Sequence, residues 1–269
     1  FGTLAFPAIA LLTGGLAIFS GIACGVARAL RTGVYVTDAF VFAAAWTGTE
    51  WLRGTLLTGL PWNLVGHVWS VTAATMQLAA VVGVYGLTFL TACGAALAVR
   101  PFSNGMWRLR LAASVLIIGS IWAAGQVRLM IVRDPGSTGI VVRMVQGNVP
   151  QALKWRPEQR NTILERYVRL TGQLALRPVS AVVWPETAIP FDLAGDRDIR
   201  QRVANVLPAG GILFAGALRG DDAEPQNIFN SIVAVTADGR PIMAYDKVHL
   251  VPFGEYVPFG SILPLRRLT

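Results

Sequence analysis

The sequence predicts a bundle of membrane-crossing α-helices followed by a water-soluble α/β domain, and three observations carry that prediction. Charged residues make up 14% of the 269-residue chain and hydrophobic ones 54%, against a charged share of about 25% in ordinary soluble domains. The shortage is uneven: residues 1–132 hold two acids, Asp38 and Glu50, and seven bases, while residues 133–269 hold thirteen acids and sixteen bases. From Ser137 onward, long uncharged runs give way to short β-rich segments alternating with helical periodicity. The expected organisation is a transmembrane domain over 1–132 with about four spans and a soluble domain over 133–269.

Residues 1–27 carry no charge, more than the roughly 20 apolar residues that span a bilayer. The charges Arg28 and Arg31 follow this run instead of preceding it, which argues for a spanning helix and against a signal peptide. A second span is expected from Val34 to Leu57, with Asp38 near its start and Glu50 and Arg53 toward its end. Glu50 and Arg53 lie three apart and share a helix face, which suits a structural ion pair near the interface. Gly54–Val99 is free of Asp, Glu, Lys and Arg; the break at Gly59-Leu60-Pro61-Trp62-Asn63 leaves a third span over about Val71–Ala98. A fourth is expected over about Leu109–Leu129, closed by Arg128 and Arg133.

Arg28 and Arg31 sit in one short loop and Arg100, Arg108 and Arg110 in another two spans later, whereas Thr58–Ser70 has no Lys or Arg. The positive-inside rule places the basic loops in the cytoplasm and everything after about residue 133 on the extracytoplasmic side. The net charge of +8 is concentrated between apolar runs, so it reports topology and excludes a nucleic-acid footprint. Cys24 and Cys93 both fall inside apolar segments and read as small buried hydrophobes; neither suits a disulfide framework or a metal site.

In the second half, Gly139–Gln146 is β-rich, and Pro157–Leu176 spaces Ile163, Leu164, Tyr167, Val168, Leu170 and Leu174 helically. Ser180–Trp184 is a short apolar strand expected to stop at Pro185-Glu186. A helix within Arg197–Leu207 and strands at Gly211–Leu218, Ser231–Thr236 and Ile242–Tyr245 follow. Glu186 and Lys247 each come directly after an apolar strand, where sheet enzymes keep working groups. If they meet at one sheet edge, the carboxylate can act as a general base and the ammonium can stabilise an oxyanion. The run Tyr245–Pro258 adds His249 and, eight residues after Lys247, Glu255, on a backbone restricted by Pro252 and Pro258. A solvated loop with an ordinary surface ion pair is the competing reading of these residues. A nucleophile is missing from the set.

Three segments make a family resemblance: Val145-Gln146-Gly147-Asn148-Val149-Pro150-Gln151-Ala152-Leu153-Lys154-Trp155, Trp184-Pro185-Glu186-Thr187-Ala188-Ile189-Pro190, and Tyr245–Pro258. With Glu50-Trp51-Leu52-Arg53-Gly54 and Leu60-Pro61-Trp62 ahead of them, the chain resembles bacterial apolipoprotein N-acyltransferases, membrane members of the nitrilase superfamily. The resemblance implies a nitrilase-like αββα sandwich, here incomplete, with Glu186 as general base, Lys247 as oxyanion-stabilising lysine and Glu255 as its supporting glutamate. It implies a substrate-binding role for Trp155 beside the lipid-facing site, leaves His249 structural, and calls for no cofactor or metal; the Pro61-Trp62 loop with Trp69 reads either as an aromatic belt or as the floor of a lipid entrance, which would make Trp62 substrate-binding too.

The implied reaction is ping-pong acyl transfer: a cysteine takes an acyl chain from a phospholipid donor and passes it to the α-amine of a diacylglyceryl-modified apolipoprotein. Membrane lipid is thus a partner, and the bacterial cytoplasmic (inner) membrane the expected location. The implied cysteine follows the lysine segment, yet no cysteine follows Cys93. The chain is therefore expected to be a piece truncated at both ends, inactive by itself. Two alternatives use the same residues: a membrane-tethered nitrilase-like amidase acting on a soluble amide, and a non-catalytic lipid-binding scaffold.

Overall fold

The computed structural model describes residues 5–99, 107–132, 136, 138–175, 177–220, 228–252 and 255–256. Arg100, Arg133, Ser137, Leu176, Phe253, Gly254, Val257 and Pro258, named above, lie outside them. The chain divides into two compact units, Phe1–Asp134 together with Leu250–Thr269, and Pro135–His249.

In the first unit, α1 (Ala5–Ala29) exposes nearly its whole apolar surface, with Leu11 77% exposed. A 25-residue helix that hides so little of itself is suited to lipid. Helix α2 (Tyr35–Thr55) packs against α1. A 3₁₀ turn at Leu56–Thr58 and another over Val65–Val71 lead into α3 (Ala73–Met76), which a Thr72/Thr75 capping box starts. Then come α4 (Ala79–Ala98), packed on α2 and kinked at Gly83 (φ 67°), and α5 (Trp107–Ile131). Tyr35 Oη donates to the carbonyls of Ala96 and Leu97, tying the start of α2 to the end of α4.

The helix expected from Val71 thus starts at Ala79, because Val65–Met76 forms a compact segment of its own. Gly66 lies so close to α4 that a Cβ would come within 2.3 Å of the Val84 carbonyl, and its N–H donates to Thr88 Oγ1 at 2.9 Å. Trp69 Nε1 donates to Thr91 Oγ1 at 2.8 Å. Glu50, 7% exposed, completes this anchor: its carboxylate accepts the Val65 N–H at 3.1 Å and the Thr88 hydroxyl at 2.9 Å. The Glu50–Arg53 ion pair is present but long, 3.8 Å. Of the described helices, α1 and α4 are long and apolar enough to cross a membrane, and Val115–Ile131 is a shorter apolar stretch.

The second unit alternates as its periodicity requires: β1 (Val142–Met144), α6 (Gln151–Lys154), α7 (Arg160–Thr171), β2 (Ala181–Asp192), α8 (Arg197–Ala204), β3 (Ile212–Gly220), β4 (Ile228–Thr236) and β5 (Pro241–Asp246). The sheet runs in sequence order; β1–β2 and β2–β3 are parallel, β3–β4 and β4–β5 antiparallel. Asp196 caps α8 by accepting the N–H groups of Asp198 and Ile199, both at 3.1 Å. Val182, Trp184, Leu213, Ala215, Val233 and Val235 turn one sheet face onto Ile163, Leu164 and Tyr167 of α7 and Ile199 and Val203 of α8. Each of the fully buried aliphatic side chains contributes roughly 1.5–3 kcal/mol. The alternate residues, Val183, Phe214, Ile232, Met243 and Tyr245, form a second apolar face. A helix-covered mixed sheet with a second apolar face is a nitrilase-like layer arrangement.

Strand β2 does not stop at Trp184. Its pairing with β3 jumps from Trp184↔Ala215 to Ile189↔Ala217, so Pro185-Glu186-Thr187-Ala188 bulges out opposite Gly216. Thr187 takes φ 46° within it. Gly216 makes this possible, since a Cβ there would lie 2.3 Å from the Pro185 carbonyl oxygen, 2.6 Å from Glu186 Cα and 2.7 Å from the Thr187 nitrogen.

Candidate active site

The bulge projects Glu186 where three strand ends converge. Antiparallel pairing sets the start of β4 beside the end of β3 (Leu218↔Asn230) and the end of β5 beside the start of β4 (Ser231↔Asp246). Lys247, the residue after β5, donates its backbone N–H to the Asn230 carbonyl at 2.8 Å. Its Nζ reaches Glu186 Oε1 at 3.0 Å. Asn230 Nδ2 donates to the same oxygen at 2.6 Å, and Asn230 Oδ1 accepts from Thr187 Oγ1 at 3.2 Å. Lys154 Nζ donates to the Glu186 backbone carbonyl at 3.4 Å, so a second cation borders the bulge.

Glu186, Asn230 and Lys247 border a cavity of about 300 Å³ whose apolar walls include Val183, Phe214, Ile232 and Tyr245. The Lys247 hydrogen bond and charge hold the Glu186 carboxyl below its usual range against the opposing effect of partial burial. Burial pushes the Lys154 ammonium down, and the attraction of Glu186 opposes that shift. Next to the pair, Arg219 grips Asp246 with two hydrogen bonds, 3.0 and 2.7 Å, while Ser231 Oγ donates to the same carboxylate at 2.6 Å. This second pair fixes the end of β5 from which Lys247 departs. A carboxylate beside an ammonium at the end of an apolar cleft can accept a proton and stabilise a developing oxyanion.

The expected residues divide between the two units. Glu186 and Lys247 come together. Trp155 is 52% exposed just after α6 and is not among the residues lining the cavity. Glu255 and Trp62 belong to the helical unit: Glu255 accepts the Val251 N–H at 2.8 Å, and Trp62 is 66% exposed. His249 is exposed and is not among the cavity residues. Cys24 is exposed on α1 and Cys93, expected buried like it, is buried on α4. Among the described residues no cluster of His, Cys, Asp and Glu suits a metal ion.

Asn230, Thr187 and Lys154 complete the arrangement without having been singled out. Lys154 lies inside the quoted Val145–Trp155 segment, whereas Asn230 gains its place only from strand register.

Fold and site together define a carbon-nitrogen-hydrolase-type domain joined to helices of membrane-spanning character. Residues 141–265 match the carbon-nitrogen hydrolase family, and residues 1–97 match the apolipoprotein N-acyltransferase N-terminal domain. Proteins named apolipoprotein N-acyltransferase from Caulobacter vibrioides, Bradyrhizobium diazoefficiens and Allorhizobium ampelinum are 38%, 34% and 38% identical. The alignments cover 97%, 98% and 94% of this chain and 51%, 50% and 49% of those proteins. The chain is similar to apolipoprotein N-acyltransferases over nearly its whole length, and it spans about half the length of the curated relatives it matches.

Proposed function

We propose that the full-length protein is an apolipoprotein N-acyltransferase of the bacterial cytoplasmic membrane. Residues 1–132 serve as its multi-pass membrane domain and the following residues as the extracytoplasmic catalytic domain. The observation that carries this reading is the Glu186–Lys247 pair, 3.0 Å apart at the end of an apolar cleft. Its family context, a hydrolase-type domain behind an acyltransferase N-terminal domain, supports the same reading.

In the proposed reaction Glu186 takes the proton of a cysteine thiol that the rest of the full-length protein supplies. The thiolate attacks the sn-1 ester carbonyl of a phospholipid, and Lys247 stabilises the oxyanion. The C–O bond breaks, a thioester remains, and the lysophospholipid leaves with the proton returned by Glu186. The α-amine of a diacylglyceryl-cysteine then attacks the thioester; the amide forms, and the proton passes through Glu186 back to the sulfur. Splitting the transfer into two displacements lowers each barrier. Glu255 is assigned to support Lys247, and Trp155 and Trp62 to the acyl chain. No step calls for a metal or cofactor.

Purified full-length protein given a phospholipid with a labelled acyl chain and a diacylglyceryl peptide tests this directly. The label is expected in the peptide amide with one lysophospholipid per product. Label released only as free fatty acid contradicts transfer to the peptide, and hydrolysis of soluble amides without acyl transfer supports the amidase reading instead.

A further inference from the structure

Both donors that reach the Glu186 side chain, Lys247 Nζ and Asn230 Nδ2, end on one oxygen, Oε1. Among the described residues no donor reaches Oε2. The orientation of the Asn230 amide decides this, and chemistry sets that orientation. The ionised carboxylate can only accept, so the amide NH₂ is the end turned to it, and Asn230 Oδ1 is left to accept from Thr187 Oγ1. The flipped amide would set a carbonyl oxygen against a carboxylate oxygen at 2.6 Å. Thr187 is only 7% exposed and belongs to the same bulge as Glu186, so the group that anchors the other end of the amide moves with the carboxylate. The Asn230 carbonyl also accepts the Lys247 N–H, which makes one residue hold both the acid and the base.

We propose that Asn230, anchored by Thr187, is a positioning residue that commits Glu186 Oε1 to Lys247 and leaves Oε2 as the oxygen that accepts the nucleophile's proton. The inference rests on the acyl-transfer reading for its consequence in catalysis, and on the contacts alone for its effect on Glu186. A carboxylate held by two donors on one oxygen cannot rotate away from its lysine. Its second oxygen therefore stays aimed along one direction, the preorganisation that proton transfer within hydrogen-bond reach demands. Asn230 also contributes to holding the Glu186 carboxyl low, after Lys247 and against burial. Removing its donor therefore moves protonation of Glu186 to higher pH.

The test uses full-length protein in detergent with Asn230→Ala, Thr187→Val and Thr187→Ser, read by pH–rate profiles and by infrared titration of the Glu186 carboxyl band. Loss of the band in Glu186→Gln assigns it. Asn230→Ala is expected to lower kcat by about tenfold to 100-fold with little change in KM. Its acid limb and its Glu186 titration should both move to higher pH. Thr187→Val keeps the shape, frees the amide and should shift both in the same direction by less; Thr187→Ser should recover most of what Thr187→Val loses. Superposable titrations in wild type and both Asn230→Ala and Thr187→Val, or a loss confined to KM, would overturn the proposal. If wild type transfers no acyl chain, the acyl-transfer reading fails, and the infrared titration still decides what Asn230 does to Glu186.

Discussion

Replacing Gly216 by alanine asks whether the bulge in β2 sets the position of the base. The added Cβ would meet the Pro185 carbonyl oxygen at 2.3 Å, Glu186 Cα at 2.6 Å and the Thr187 nitrogen at 2.7 Å. All three are backbone atoms, so no rotamer change relieves the clash. An ordinary contact requires the bulge and β3 to separate by about 1 Å. Overpacking of this kind costs roughly 1–3 kcal/mol of stability. A displacement of about 1 Å at a proton-transfer group costs roughly 100-fold in rate. Gly220, on the same strand, offers the control, because among the described residues a Cβ there meets nothing within 4 Å. The assay is acyl transfer by the full-length enzyme beside thermal unfolding in the same detergent. Gly216→Ala is expected to lose roughly 100-fold in kcat while remaining folded, and Gly220→Ala to stay near wild type. Equal activity in the two variants would refute the claim that the bulge holds Glu186 in place.

Other outcomes follow from the same contacts. Glu186→Gln keeps the shape but cannot take a proton, so single-turnover thioester formation should fall by roughly 10²–10⁴-fold. Lys247→Ala should cost roughly 100-fold or more in the same measurement, with added primary amines restoring part of the rate. Glu50→Ala strips an acceptor from the Val65 N–H and the Thr88 hydroxyl; thermal unfolding in detergent should show a loss of about 1–3 kcal/mol. Arg219 holds the Asp246 carboxyl below its usual range against burial, so the pair stabilises the fold above the ordinary carboxylate range near pH 4 and loses this effect as pH falls through the lowered value. Denaturant unfolding of Arg219→Ala should therefore show a shallower loss of stability on acidification than wild type; an unchanged acid limb would exclude the pair as its source.

The alternation of strands and helices after residue 139 was legible because each strand is a short apolar run closed by Gly, Pro or charge, and α7 keeps its helical spacing. Glu186 and Lys247 were legible for a related reason, since each follows such a run. The bulge was hidden: Pro185 is an ordinary strand terminator, and only pairing with the Cβ-free Gly216 lets β2 continue to Asp192. Asn230 was hidden as well, because its role depends on Leu218↔Asn230 register, a relation between distant segments that no local pattern encodes. In the helical unit, Val65–Met76 is nearly as apolar as the helices beside it, so composition could not separate a 3₁₀ segment from a span. Glu50 read as half of an ion pair with Arg53. Its shorter contacts are to Val65 and Thr88, partners 15 and 38 residues away.

The most direct test of the central claim is mass spectrometry of lipoprotein N-termini from cells depleted of the full-length protein, in a strain with no second N-acyltransferase. Lipoproteins should accumulate with two acyl chains and a free α-amine, and the wild-type gene, but not its Glu186→Gln form, should restore the third chain. Lipoproteins that stay fully N-acylated through depletion would contradict the account.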